Sequence, residues 1–170
     1  MKSCSVVFAA LTFVPAIVLG QLPSEFAALA CKPVKDNAPD LIVEKSGRQW
    51  QLSVQAGGAK KTILTSAAPV SNAQRASEAG YVVYFLANEK YPKQSGWVLQ
   101  RLVDGRSVQI FEAQLSPIAA CVTPDGHKLA YVTQTLAAVQ VDLLPAIERF
   151  RYFDDPAPKD HVLVPAPSGG

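Results

Sequence analysis

The sequence predicts a mainly β protein, folded as an antiparallel sandwich or a small barrel. About eight or nine short runs between residues 39 and 144 are apolar or alternate between apolar and polar residues, which is typical of strands. Gly, Pro, Asn and Asp separate these runs, as expected for tight turns. The short connections leave little room for the crossover helices that parallel strands need, so antiparallel pairing is expected.

The composition supports one folded domain and excludes several classes of protein. The chain has 170 residues, of which 49% are hydrophobic and 18% charged, which suffices for about one domain with a core. These values exclude a disordered polyelectrolyte, and three cysteines exclude a cysteine-dense scaffold. A net charge of +2 provides no basic field to gather phosphates, so binding to nucleic acid through bulk charge is excluded.

The N-terminus has the pattern of a secretory signal peptide. Lys2 supplies the positive start, Val6 to Leu19 is an apolar run, and Gly20 offers a small residue for cleavage. The apolar run is shorter than the roughly 20 residues that a bilayer requires, so no membrane span is expected. We therefore expect a secreted, extracellular protein, cleaved after residue 20.

The rest of the chain divides by composition into three parts. The expected organisation is a signal peptide at 1–20, a lead-in segment at 21–38, a β-rich domain at 39–153 and a Pro-rich, disordered tail at 154–170.

The cysteines predict one disulfide. Cleavage would remove Cys4 and leave Cys31 and Cys121 as a pair in an oxidising compartment. A bond within the chain would close a loop of about 90 residues, worth about 4 kcal/mol in the chain-entropy view. Neither cysteine has a second Cys or a His at metal-ligand spacing, so the alternative of a metal-binding or catalytic thiol is less favoured.

The first predicted strands flank short turns. The runs 41–43 and 49–54 lie on either side of Ser46-Gly47, and the second run alternates apolar and polar residues. Gly57-Gly58 ends that strand, and 62–65 is a short β-branched run.

The middle of the chain predicts a central strand and a hairpin. Residues 81–87 are apolar at every position, which indicates a strand buried on both faces. Asp104-Gly105 lies between two further runs and predicts a two-residue hairpin turn, which would pair Leu99 with Ile110.

The last predicted elements surround a proline turn. Strands are expected at 118–122, 129–133 and 138–143, and a short helix at 145–153, since Pro145 suits a first helical position. Thr123 to Gly126 has Pro second and Gly fourth, as a type I turn requires.

The stretch from Thr123 to Val132, which reads TPDGHKLAYV, resembles the blade repeat of β-propellers. In that family the Pro-Asp-Gly turn joins the two inner strands of a blade, and the resemblance implies about three blade-like units here, at 41–54, 81–103 and 129–143. A closed ring takes at least four blades. A partial β-propeller would therefore need several chains to close, and we favour a sandwich or barrel that uses the same turn.

The sequence contains no catalytic constellation, so no enzyme, metal site or cofactor is expected. Its only histidines are His127, beside the proline turn, and His161, in the tail. It lacks Gly-x-Ser-x-Gly, His-Glu-x-x-His and a phosphate-binding loop. The one adjacent acidic pair, Asp154-Asp155, lies in the tail and would not hold a fixed separation.

Aromatic side chains are the candidate binding residues. Six of them could stack on a sugar or anchor a protein interface, and most are expected to fill the core. The six are Trp50, Trp97, Tyr81, Tyr84, Tyr91 and Tyr131. Tyr91 and Trp97, in and just after the 88–96 loop, are the two expected to be exposed. Lys60-Lys61 is either a solvated turn or a site for a processing protease.

These observations favour a secreted, non-enzymatic protein that binds an extracellular protein, as an effector in virulence or an inhibitor of a host protein would. It would act as a monomer or a small homo-oligomer. One alternative is a carbohydrate-binding, propeller-like lectin assembled from several chains. The other is a small secreted hydrolase.

Overall fold

The computed structural model describes residues 30–31, 34–76, 80–90, 95–113 and 115–154. The predicted signal peptide and almost all of the predicted tail lie outside these ranges. The described residues form ten strands and one helix. They are β1 (Leu41–Ser46), β2 (Gln49–Ala56), β3 (Ala59–Ser66), β4 (Val70–Ala76), β5 (Tyr81–Leu86), β6 (Gly96–Arg101), β7 (Ser107–Glu112), β8 (Ala119–Val122), β9 (Lys128–Val132), β10 (Ala138–Asp142) and α1 (Leu144–Asp154).

The strands form three open antiparallel sheets. The first sheet has the order β1-β2-β3, the middle sheet β4-β5-β6-β7, and the third sheet β8-β9-β10. Within each sheet, strands that are consecutive in sequence pair with each other. The prediction of a mainly β, antiparallel protein is confirmed. Because the described sheets are open, the arrangement fits a layered sandwich or a partial propeller, and the small-barrel alternative does not form among these strands.

The middle sheet is packed on both faces. Alternate residues of β5 point to opposite sides: Val82 and Tyr84 join the core toward the first sheet, and Val83 and Phe85 join the core toward the third. All four are at most 1% exposed. The apolar run at 81–87 is therefore a central strand, as predicted, and burial raises the pKa of Tyr84 to about 12.

Two hydrophobic cores lie between the three sheets. The core between the middle and third sheets is rich in rings and includes α1, and the core between the first and middle sheets is mainly aliphatic. The buried members of the first are Ala76, Val83, Phe85, Trp97, Leu99, Ala120, Leu129, Tyr131, Leu143, Ala146 and Phe150. Those of the second are Leu41, Leu52, Val70, Ala73, Val82 and Tyr84.

The β1–β2 turn forms one residue later than predicted. Gly47 has a φ of 60°, and Ser46 pairs with Gln49, so the two turn residues are Gly47 and Arg48. A glycine at the first central position suits a two-residue hairpin with positive φ there. This register places Lys45 directly opposite Trp50.

The β6–β7 hairpin corrects the predicted two-residue turn at Asp104-Gly105. The Arg101 amide donates to the Arg106 carbonyl at 2.9 Å, so the loop closed by this bond comprises residues 102–105, and Leu99 pairs with Val108 instead of Ile110. The Gly105 amide donates to the Arg101 carbonyl at 2.9 Å, which closes a longer loop than the sequence predicted. Gly105 still provides the left-handed residue, with a φ of 73°.

The proline turn joins β8 to β9 as predicted. The Gly126 amide donates to the Thr123 carbonyl at 2.7 Å, and the Thr123 amide donates to the Lys128 carbonyl at 2.9 Å. The Asp125 carboxylate accepts from the Thr123 hydroxyl and from the His127 amide, so the side chains of the turn reinforce its backbone. The predicted short helix follows β10 and begins at Leu144.

The first strands of the three sheets lie side by side, because β4 contacts both β1 and β8. The segment 34–38 forms backbone hydrogen bonds with two of these first strands, β4 and β8. Val34 forms a bridge with Ala120 of β8, and the Ala38 amide donates to the Ala73 carbonyl of β4 at 2.8 Å. The end of the predicted lead-in is thus bonded to two different sheets.

No helix within the described ranges has the length and apolar character needed to cross a bilayer.

Candidate functional site

Of the two predicted aromatic binding residues, the structure describes only Trp97. Tyr91 lies outside the described residues. The expected exposure of Trp97 is wrong, because its side chain is 0% exposed. The position of Trp97 on β6 turns its ring toward the third sheet, where its centroid lies 5.6 Å from that of Phe85 and 5.3 Å from that of Tyr131. A ring enclosed in this way contributes to the core and does not contact a ligand.

The two predicted disulfide residues are brought together. Cys31 and Cys121 form a disulfide within the chain, with their Cα atoms 6.1 Å apart. The bond attaches the segment before β1 to β8 of the third sheet. Both thiols are therefore used in a structural bond, and neither is available as a nucleophile or a metal ligand.

His127 lies beside one carboxylate. Its side chain is 43% exposed, and its Nδ1 is 3.8 Å from Oδ2 of Asp125. The hydroxyl of Thr123 and the His127 amide lower the pKa of Asp125, since both donate to its carboxylate. In the described part of the chain, no three His, Cys, Asp or Glu side chains converge on a point where a metal could bind. His161 lies outside that part.

An open cleft lies where the β1–β2 hairpin meets the start of β4. We call it the Trp50 cleft, and it has a volume of about 260 Å³. Its walls combine an aromatic ring, two cations and one carboxylate. The residues that define it are Lys45, Arg48, Trp50, Pro69 and Glu89.

The Trp50 ring forms an aromatic wall of this cleft. The ring is half-buried and packs against the aliphatic core, so one part is fixed while another part faces the cleft. The Nζ atom of Lys45 lies 5.7 Å from the ring centroid, within the range of a cation–π contact. Arg48 and Glu89 are exposed at the rim. The charges of the lining sum to one excess positive charge, which favours a partner that carries a carboxylate.

The sequence pointed to the aromatic ring but not to its surroundings. Trp50 was among the six aromatic candidates, in a strand that was predicted correctly. Lys45 and Arg48 were missed, because the turn was placed one residue early and Lys45 then has a different partner. A two-residue turn that starts at Gly47 would have placed Lys45 opposite Trp50 in the predicted register and Arg48 in the turn.

Comparisons with known proteins show a limited structural similarity. No family model matches the chain, and no curated protein matches it significantly. Among solved structures it is similar to TolB from Acinetobacter baumannii, with a TM-score of 0.44 and 23% identity over 56% of this chain. The matched region covers 24% of the TolB chain.

Proposed function

We propose that this chain is a secreted, non-enzymatic binding protein that recognises a carboxylate-bearing segment of an extracellular protein through the Trp50 cleft. The observation that carries the proposal is the half-buried Trp50 ring beside Lys45 and Arg48. Trp and Arg are the residue types that most often dominate binding energy at protein interfaces.

Two features support secretion. The disulfide between Cys31 and Cys121 persists in oxidising compartments and is rare in the cytosol of mesophiles. The sequence of residues 1–20 has the order of charge, apolar run and small residue that a secretory signal requires. Mass spectrometry of protein from the culture medium tests this directly, with Gln21 as the expected first residue.

The three meanders support a blade-like interpretation of the architecture. Each sheet is one up-and-down unit, and the first strands β1, β4 and β8 lie next to one another. The blades of a propeller are antiparallel sheets repeated radially around a central channel. We therefore interpret the chain as a partial propeller of three units, in keeping with the repeat-like stretch from Thr123 to Val132.

Binding can be followed through Trp50 itself. The chain has two tryptophans, so a Trp97→Phe variant leaves Trp50 as the only indole. Titration of this variant with a capped hexaglutamate peptide is expected to change the Trp50 emission in a saturable way, and capped hexalysine is not. Because charge attraction is screened by salt, the affinity should fall as ionic strength rises.

Charge variants locate the site. Replacing both Lys45 and Arg48 by Gln is expected to weaken peptide binding about tenfold, and Lys128→Gln, an exposed cation on β9, should leave it unchanged. Equal binding by the double variant would refute the Trp50 cleft as the site. Turnover of an ester, peptide or glycan substrate by the unmodified protein would refute the non-enzymatic assignment.

A further inference from the structure

A second cleft lies between the first and middle sheets, at the tip of the β6–β7 hairpin. We call it the Gln100 cleft, and it has a volume of about 280 Å³. One wall is residues 61–63 of β3, and the other is the loop 102–105. Gln100, which is only 4% exposed, lies between the two walls and forms the floor.

The Gln100 side chain uses its donor and leaves its acceptor unpaired. Its Nε2 donates to the Ile63 carbonyl at 2.9 Å and to the Gly105 carbonyl at 3.2 Å. Its Oε1 is buried and has no hydrogen-bond partner among the described residues. Rotating the amide by half a turn would place the oxygen against two carbonyls, so the two donated bonds fix its orientation. A buried acceptor without a donor is costly, and a ligand that donates here removes that cost.

A β-bulge on β3 provides one of the two carbonyls that fix the orientation of the Gln100 amide. The register between β2 and β3 shifts after Leu52, which leaves Ile63 as an extra residue on β3. Such a bulge turns a backbone group away from the regular ladder. The Ile63 carbonyl is used by Gln100, across the gap between two sheets.

The charges at the rim decide which donor is favoured. Asp104 accepts from Arg101 and Arg106, and the Arg101 side chain in particular lowers the pKa of Asp104 to about 2, so this carboxylate stays ionised. Lys61 stands on the opposite wall. Arg101 and Arg106 do not line the cleft, but their ion pairs with Asp104 offset its charge. Lys61, the one cation of the lining, then disfavours an ammonium ligand, and a carboxylate cannot donate to Gln100. A neutral hydroxyl fits both conditions.

Apart from Thr62, whose hydroxyl bonds to that of Ser53, and Gly105, the remaining lining is aliphatic. Ile63 and Leu102 are half-buried, and Val103, in the loop, is 83% exposed. A sugar ring combines hydroxyl groups that both donate and accept with an apolar face of C–H groups, which matches a wall of this mixed character.

We propose that the Gln100 cleft binds a monosaccharide unit, with one ring hydroxyl donating to Gln100 Oε1 and others contacting Lys61 and Asp104. The aliphatic side chains of Ile63, Leu102 and Val103 pack against the C–H face of the ring. Because Oε1 is buried, binding requires the side chains of the loop 102–105 to rearrange. This site is separate from the Trp50 cleft and does not depend on the function proposed there.

Nuclear magnetic resonance of the ¹⁵N-labelled full chain tests the proposal. Methyl α-glucoside and methyl α-galactoside are titrated to high millimolar concentration, and glycerol serves as a polyol without a ring. At least one glycoside is expected to shift the Gln100 side-chain amide and the backbone amides of 102–105 in a saturable way. Absence of saturable shifts, or equal shifts with glycerol, would overturn the proposal.

Two variants and one matched control assign the contacts. Gln100→Met keeps the length of the side chain and is expected to weaken binding about tenfold, and Lys61→Ala about fivefold. Lys60→Ala is the control, because Lys60 is the preceding residue on β3 and pairs with Glu44 outside the cleft. Equal weakening by Lys60→Ala and Lys61→Ala, or shifts centred on Trp50, would contradict the assignment. If Gln100→Met does not fold, the two lysine variants decide.

Discussion

The two interfaces of the middle sheet are built differently. Toward the third sheet, four rings cluster together, namely those of Phe85, Trp97, Phe111 and Tyr131. A separate pair is formed by Tyr81 and Phe150 of α1. Toward the first sheet, the buried core is aliphatic apart from Tyr84. Both clefts described above lie along this second interface, one near each end.

The difference separates stability from recognition. Large rings fill space between sheets efficiently, and each buries more area than an aliphatic side chain. The aliphatic interface leaves concave ends, where Trp50 is half-buried and Gln100 forms the floor of a cleft. We infer that the ring-rich interface supplies most of the stability, while the aliphatic interface supplies the binding surfaces.

The largest expected effect compares one deletion in each core. Trp97→Ala should lower the free energy of unfolding by about 5 kcal/mol, because it removes a fully buried ring, and Leu52→Ala by about 3 kcal/mol. Urea unfolding followed by circular dichroism measures both. Val103→Ala, at an 83% exposed position, is the control and should change stability by less than about 0.5 kcal/mol. A larger loss for Leu52→Ala would reverse the assignment of the two interfaces.

The next effect concerns the bond that ties the segment before β1 to the third sheet. Replacing both Cys31 and Cys121 by Ala should lower the free energy of unfolding by about 4 kcal/mol, since the disulfide spans a sequence separation of 90 residues. Guanidinium unfolding of the variant and of the oxidised protein gives the difference. If the two unfold at the same denaturant concentration, the segment 34–38 does not depend on the disulfide for its position.

The smallest expected effect is at the Gln100 cleft and depends on pH. The pKa of Asp104 is lowered from 3.8 to about 2, so its ionised form is favoured by folding. Its contribution to stability is therefore complete above its ordinary pKa and is lost as the pH falls toward about 2. As the pH falls from 3.8 to about 2, the Asp104→Asn variant should lose less stability than the unmodified protein, because it has no carboxylate there to protonate. Asp36→Asn, at an exposed position, is the control and should follow the unmodified protein throughout.

Local patterns predicted the fold better than they predicted the clefts. The strand at 81–87, the proline turn at Thr123 and the helix near 145 depend on residues close together in sequence, and each was correct. The clefts depend on hairpin geometry. The predicted turn at Ser46-Gly47 was one residue early, so the predicted register did not pair Lys45 with Trp50. The β6–β7 loop has four residues instead of the predicted two, and this places Leu102 and Val103 in a cleft wall.

The exposure of Trp97 failed for a related reason. The sequence places it beside a polar loop, but its burial depends on Phe85 and Tyr131, which come from different strands and two different sheets. Alternation along β6 assigns its residues to two faces, but it does not show which face packs against another sheet. Only the stacking of the sheets decides between them.

The pairing of every strand with its sequence neighbour has a consequence for oxidative folding. Hairpins close over short loops and form quickly, so each sheet can assemble without the others. The bond between Cys31 and Cys121 spans a sequence separation of 90, so its loop is far longer than that of any hairpin, and we expect it to close later. A chain that still carries residues 1–20 also carries Cys4, a third thiol able to capture either partner. Cleavage of the predicted signal peptide would therefore also remove a competitor for the correct disulfide.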